Sequence, residues 1–281
     1  MAIDRPNVFG SGAATNTDLF LDAATDKLGT ASRVISFAGI NSDIDASPEF
    51  ITRSGTAISP SSGALYDGIN STSASDASAG IGVQQVLLEG IDSNGDLASE
   101  FVTMNGTSIV SLTNDYIWVN NVGVTRVGAG TTQVGSITLR DGFTGYQTGI
   151  TADSGIPFMG GVGYPRGFVP VLKNLTIQVS QSAITSGNVL LSLYHAQGLN
   201  TTTPSVGVIR QFNVALGSVT AGAYNVFVET IRPPFLRPGN ATDGFLNTPS
   251  AGVFYMQADG DAAVDAVVSF QCDLFFRDAR N

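Results

Sequence analysis

A series of apolar runs between Gly82 and Leu139, separated by turn sequences, is the feature that most constrains the fold. The first run leads into Asp92-Ser93-Asn94-Gly95-Asp96, and the second stops at Asn105-Gly106. Asn-Gly supplies the positive φ angles that a tight turn between antiparallel strands requires. The sequence therefore predicts a hairpin around Asn94-Gly95 and further strands after Asn105-Gly106.

The second half of the chain shows the two-residue alternation of half-buried strands more clearly. Leu175, Ile177 and Val179 share one predicted face, and the final strand alternates from Val264 to Phe276. Short strands at 10- to 15-residue spacing are typical of antiparallel sandwiches and jelly rolls. We therefore expect an all-β protein of two antiparallel β-sandwich or jelly-roll-like units, with long loops and an N-terminal arm.

The same patterns predict how the chain is divided. We expect an N-terminal arm over residues 1–30, an N-terminal β domain over 31–150 and a C-terminal β-sandwich over 151–281. Residues 41–80 are rich in Ser, Asp, Gly and Ala, which favours a long surface loop with a short strand near Phe50. The expected helix is confined to short pieces near residues 17–28.

Charge and hydropathy exclude some classes of partner. The net charge is −10 and the chain contains 13 Lys and Arg without a basic run, so we expect no nucleic-acid binding. No apolar run approaches the ~20 residues that a membrane helix needs, and Met1–Pro6 does not open a signal peptide. We expect a protein that is made in a cytosol and does not enter a membrane.

The sequence contains no recognisable catalytic motif. There is no G-x-S-x-G or H-E-x-x-H motif and no Gly-Lys pair of a phosphate-binding loop. The single histidine, His195, cannot form a zinc-binding His cluster, and a structural role is favoured. We therefore expect no enzymatic activity, no cofactor and no metal.

Two arrangements of acidic residues could supply a metal site or a catalytic pair. Asp92, Asn94 and Asp96 resemble the start of a calcium loop, but the glycine and the bidentate Glu of that loop are not at the required positions. Glu89 and Glu100 flank the predicted hairpin and could form a glycosidase pair only with a cleft lined by aromatic side chains. A hairpin turn with exposed carboxylates is the favoured interpretation of both.

Three segments carry a resemblance to a known family. They are Gly90-Ile91-Asp92, the segment Glu100–Thr107 and Trp118-Val119-Asn120. In this order they resemble a β module of structural proteins in the virions of tailed bacteriophages. Residues 174–194, the loop 232–246 and residues 261–278 are similar to the C-terminal sandwich of the same proteins.

The resemblance implies a structural virion protein, either a head decoration (cement) protein or another outer particle component. Such a protein would bind the major capsid protein or tail proteins without catalysis, after assembly in the host bacterial cytoplasm. A homo-oligomer is implied, with a trimer as the expected state. The alternative is a receptor- or glycan-binding tail fibre or knob protein, whose partner would be a host-surface glycan.

Candidate assembly contacts are apolar residues without a partner run nearby in sequence, or aromatic residues in the glycine-dense stretch 141–167. Such side chains are expected to find a core elsewhere, on a neighbouring domain or on another subunit. The candidates are Val8, Phe9, Leu19, Phe20, Leu21, Phe143, Tyr146, Phe158 and Tyr164.

Overall fold

A computed structural model of the chain describes residues 33–52, 57, 60, 63–130, 132–142, 144–146, 159–181, 187–198, 205–216, 227–231, 250–261 and 266–278. Within these ranges the regular structure consists of strands, which confirms the all-β prediction. The described residues include no helix that is long and apolar enough to cross a membrane. The predicted arm and its helix lie outside the described residues. The strands are β1 (Arg33–Ile44), β2 (Glu49–Phe50), β3 (Tyr66–Ser71), β4 (Val83–Asp92), β5 (Leu97–Thr103), β6 (Val110–Val127), β7 (Ile137–Asp141), β8 (Thr144–Tyr146), β9 (Gly161–Tyr164), β10 (Phe168–Gln181), β11 (Gly187–Gln197), β12 (Ser205–Leu216), β13 (Phe227–Ile231), β14 (Gly252–Gly260) and β15 (Ala266–Asp278).

Two of the three described sheets form a jelly roll. One has the strand order β1-β15-β10-β13, and the other has the order β12-β11-β14-β2, with β9 also paired to β14. When the eight strands β1, β2 and β10–β15 are numbered alone, these orders become 1-8-3-6 and 5-4-7-2. First and last strands therefore pair, as in the two nested Greek keys of a jelly roll.

The apolar faces of these two sheets enclose one core. Leu175, Ile177 and Val179 of β10 are buried, as the alternating pattern predicts, and they belong to the same cluster as Leu191 of β11 and Phe254 of β14. Each large apolar side chain moved from water into such a core contributes about 1.5–3 kcal/mol. The alternation of the sequence thus identifies the inward faces of the central strands.

A bulge in β12 changes which side chains point inward. The pairing register between β11 and β12 shifts at Leu193/Tyr194, where Ile209 has no cross-strand partner. An extra residue in one strand reverses the alternation beyond it. Phe212 is therefore buried, whereas Val206 and Val208, which have the same parity in the sequence, are exposed.

The third sheet is inserted between β2 and β10 of the jelly roll. It has six strands in the order β5-β4-β6-β3-β7-β8 and encloses a core of its own. The predicted hairpin joins β4 to β5, and Gly95 in its turn has a φ of 82°. Gly106 follows β5 with a φ of 62°, as expected for the second Asn-Gly.

The prediction of a long surface loop over residues 41–80 is wrong for β3. This strand pairs with both β6 and β7, and its Tyr66 and Ile69 are buried. The polar residues of β3 give its sequence the composition of a loop. In the structure these residues are hydrogen-bonded inside the sheet. Asn70, for example, donates to the carbonyl of Thr107 over 3.1 Å and accepts from Arg140 Nε over 2.7 Å.

Two strands from the range of the expected N-terminal β domain (31–150) pair with strands near the C-terminal end of the chain. Strand β1 pairs with β15, and β2 pairs with β14. Because a jelly roll closes on its first and last strands, these partners are more than 200 residues apart in the sequence. No local pattern reveals such a pairing.

A buried carboxylate fixes the loops at one end of the six-stranded sheet. Asp76 is fully buried and accepts the hydroxyl of Ser71 over 2.6 Å and the N–H of Val83 over 2.8 Å. It also accepts the N–H groups of Val134 over 3.2 Å and Gly135 over 2.8 Å. One side chain therefore joins the loop before β4 to the loop before β7.

Replacing Asp76 by alanine should destabilise the protein, because four donors lose their acceptor inside the fold. We expect a loss of roughly 3 kcal/mol or more in the free energy of unfolding, measured by urea titration. The matched control is Asp67→Ala, which removes one exposed bond, from Gly142 N over 2.8 Å, and should cost about 1 kcal/mol or less. Equal effects of both changes would contradict this account of the loops.

Candidate functional site

Aromatic side chains form the seam between the jelly roll and the inserted sheet. Trp118 of β6 stacks on Tyr255 of β14 with ring centroids 6.4 Å apart. Tyr255 in turn stacks on Tyr194 at 5.1 Å and packs against Phe50 at 5.3 Å. Trp118 and Tyr255 are buried, so these rings form a small core of their own between two sheets that are not hydrogen-bonded to each other as neighbours.

The seam depends on strand β9, whose glycines let its backbone approach the inserted sheet. A Cβ atom at Gly161 would lie 2.7 Å from Cζ2 of Trp118, and one at Gly163 would lie 2.7 Å from Cγ1 of Ile91. The side chain of Asn120 donates to the carbonyl of Gly163 over 2.9 Å and accepts its N–H over 2.6 Å. An amide side chain thus takes the place of a neighbouring strand.

The acidic hairpin residues are engaged in structural bonds. Asp92 accepts the N–H groups of Asn94 and Asp96 over 2.9 Å each, which is the bonding of a side-chain-stabilised turn. Asp96 forms an exposed ion pair with Arg166, 2.7 Å between Oδ2 and Nη2. Among the described residues, no group of three or more His, Cys, Asp or Glu side chains is arranged to hold a metal ion.

The two carboxylates considered as a glycosidase pair do not face each other. Glu100 is the cross-strand partner of Leu88, so Glu89 lies on the opposite face of the sheet. Glu100 accepts the N–H groups of Thr113 over 2.8 Å and Asn114 over 3.1 Å. These bonds position Glu100 within the sheet and leave no shared cleft for the two carboxylates.

His195 lies in the jelly-roll core between aromatic rings. Its Nε2 atom is 2.6 Å from the hydroxyl of Tyr164, and its ring stacks on Phe254 at 4.5 Å. Burial lowers the pKa of His195 from 6.5 to about 4, and burial also raises the pKa of Tyr164. Both groups are neutral at physiological pH, and both side chains are buried in contact with each other.

The candidate assembly contacts fall into three groups. Tyr164 is buried against His195 within its own chain. Tyr146 lies in β8, opposite Leu139. The others lie outside the described residues, so their role remains a prediction: Val8, Phe9, Leu19, Phe20, Leu21, Phe143 and Phe158.

Sequence patterns did not reveal an apolar surface at the end of the inserted sheet opposite the β4–β5 hairpin. Four large apolar side chains there are exposed: Ile81 (56%), Val134 (44%), Val127 (38%) and Val124 (37%). The loops that carry them are held together by hydrogen bonds from Gly128 N to Gly82 O and from Gly130 N to Ile81 O. We call this surface, formed by residues 79–83, 124–130 and 132–136, the tip.

Comparison with known proteins gives similarity to structures of viral particles. No protein-family model and no curated protein matches the sequence. The chain is similar to a chain of the cowpea mosaic virus top component, naturally occurring empty particles, at 10% identity and a TM-score of 0.21, covering 74% of this chain and 80% of that one. It is also similar to infectious bursal disease virus of the Gt strain (12% identity, TM-score 0.22, 87% and 72% covered) and of the Gx strain (12%, 0.24, 89% and 73%). The assignment of the jelly roll rests on its strand order.

Filling the space at Gly161 should weaken the seam. Gly161→Ala places a methyl group against Trp118 and should lower the free energy of unfolding by roughly 1–3 kcal/mol, measured by urea titration. The control is Gly207→Ala in β12, where no atom lies within 4 Å of the added methyl group and the change should stay within about 0.5 kcal/mol. A neutral Gly161→Ala variant would refute the close approach of β9.

The buried His195 should make stability depend on pH. The unfolded chain takes up a proton near pH 6.5, whereas the folded protein resists protonation down to about pH 4. The free energy of unfolding therefore decreases as the pH falls through this window. Between neutral pH and about pH 5 the loss is roughly 2 kcal/mol. His195→Gln removes the titrating group, so its stability should fall less over the same window. Identical pH profiles for the two proteins would argue against a buried neutral histidine.

Proposed function

We propose that this protein is a structural component of a tailed-bacteriophage virion. It binds capsid or tail subunits, stabilises or decorates the particle and performs no catalysis. The observation that carries this proposal is the jelly-roll strand order with a second β-sheet inserted between its second and third strands. The resemblance to phage virion proteins has residues in both parts: Gly90-Ile91-Asp92, Glu100–Thr107 and Trp118-Val119-Asn120 belong to the inserted sheet and its turns, whereas residues 174–194 and 261–278 overlap strands β10, β11 and β15 of the jelly roll.

Jelly rolls serve several functions, and the residues of this chain distinguish among them. Viral capsid proteins, lectins and cupins all use this architecture. A cupin-type metal centre needs several imidazole or carboxylate ligands, whereas this chain has one histidine, which is buried and bonded to Tyr164. The best-placed carboxylates of the inserted sheet, Asp76, Asp92 and Glu100, hold loops and turns. The chemistry of the described residues thus supports a structural role.

The proposed function also includes how copies of this protein assemble and what they bind. We infer a homo-oligomer, with a trimer as the expected state, that is put together in the host bacterial cytoplasm and incorporated into virions. The partners are the major capsid protein or tail proteins. Residues 1–30 act as an arm that anchors the subunit through Val8, Phe9, Leu19, Phe20 and Leu21, since buried apolar side chains contribute to association beyond the cost of ordering them.

Co-sedimentation with particles assembled without the protein tests this function. Purified full-length protein should bind such particles and sediment with them, whereas a variant lacking residues 1–30 should remain folded, by circular dichroism, and stay in the supernatant. The control is Val206→Asp, an exposed substitution in the jelly roll, which should bind as the unmodified protein does. Binding of the full-length protein to host cells but not to particles would reject the virion-stabilising role in favour of a receptor- or glycan-binding fibre protein.

A further inference from the structure

The acidic residues of this chain are distributed unevenly over the inserted sheet. The chain contains 23 Asp and Glu residues and has a net charge of −10, yet residues 77–88, 101–114 and 116–140 contain none. The same segments contain Arg126 and Arg140. Asp76, the acidic residue next to the tip in the sequence, is fully buried. The tip is therefore a surface without exposed carboxylates on an acidic protein.

The carboxylates of the β4–β5 hairpin, Asp92 and Asp96, lie at the other end of the inserted sheet. Strand β4 runs from Val83 at the tip to Asp92 at the hairpin, where Asp96 pairs with Arg166 beside the jelly roll. Ten residues of extended strand span roughly 30 Å. The Debye length at physiological ionic strength is about 8 Å, so the hairpin carboxylates are screened from any molecule at the tip.

The apolar side chains of the tip are held in fixed positions. Ile81 is exposed, but its carbonyl accepts the N–H of Gly130 over 2.8 Å. Val134 is exposed, but its N–H is bonded to the buried Asp76. Cβ atoms at Gly82 and Gly128 would collide with neighbouring groups, so these loops are closely packed against each other. A preorganised apolar surface loses little conformational entropy when it is covered.

We propose that the tip of one copy of this chain packs against the tip of a second copy. The proposal rests on the oligomeric virion role argued above and identifies the surface through which copies meet. Two chains of net charge −10 repel each other least where neither presents a carboxylate. A cationic partner would instead favour the hairpin end, and two arginines in these segments are too few for a nucleic acid.

Substitutions at the tip test this contact through the concentration dependence of the molecular mass, measured by light scattering after size exclusion and by mass photometry. Ile81→Asp should raise the dissociation constant of self-association at least tenfold, because it places two carboxylates in an apolar contact. Ile81→Val keeps an apolar side chain and should change the dissociation constant less than threefold. Added salt should leave the self-association of the unmodified protein unchanged or strengthen it.

The matched control is Val208→Asp, at a residue of similar exposure (47%) on β12 of the jelly roll. Its self-association should equal that of the unmodified protein, and the melting temperatures of all variants should agree. An unmodified protein that is monomeric at every concentration, an Ile81→Asp variant with unchanged self-association, or an equal effect of Val208→Asp would each overturn the proposal.

Cross-linking gives a second readout that does not depend on other contacts in the oligomer. A short bismaleimide should cross-link Ile81→Cys copies with a clearly higher yield than Val208→Cys copies. Both variants contain the natural Cys272, which sets the background yield. Equal yields would overturn the tip contact. Failure of the virion role is read separately: a protein that self-associates through Ile81 but does not sediment with particles rejects that role alone.

Discussion

The close approach of β9 to the inserted sheet is the constraint on which the architecture depends. The described strands of the inserted sheet and the jelly roll form separate hydrogen-bonded sheets, so no shared ladder joins them. Instead, the glycine backbone of β9 pairs with β14 on one side and is bracketed by Asn120 on the other. Trp118 fills the space that the missing Cβ of Gly161 leaves. Backbone, amide and indole therefore combine in one contact to position the tip relative to the jelly roll.

Local features of the fold were readable from the sequence, because turn chemistry and alternation act over a few residues. Asn94-Gly95 predicted the β4–β5 hairpin, and the alternation of Leu175, Ile177 and Val179 predicted the inward face of β10. Pairing between distant segments was not readable. Strand β1 pairs with β15, which lies at the other end of the described chain. Strand β3 has the polar composition of a loop, and it forms a strand because side chains such as Asn70 are hydrogen-bonded inside the sheet.

The candidate surface was harder to predict than the fold, for a physical reason. Exposure of an apolar side chain depends on register, and a single bulge exposes Val206 and Val208 while Phe212 stays buried. Tyr164, expected from its glycine-dense segment to pack on a neighbouring domain or on another subunit, is buried beside His195 in its own chain. The lack of Asp and Glu from residue 116 to residue 140 was a visible signal of the tip. Only the structure shows that Gly128 and Gly130 of this segment lie beside Ile81.

These features describe a protein whose side chains hold sheets, loops and a seam together, and the proposed arm and tip contacts would serve its assembly. The central claim is that it is a structural part of a virus particle. A cryo-EM reconstruction of virions that carry the protein tests this claim most directly. The account predicts density on the outer surface of the head or tail into which the jelly roll and its inserted sheet fit, with tips of neighbouring copies in contact. Reconstructions of virions that contain all their structural proteins but show no such density would contradict the structural role.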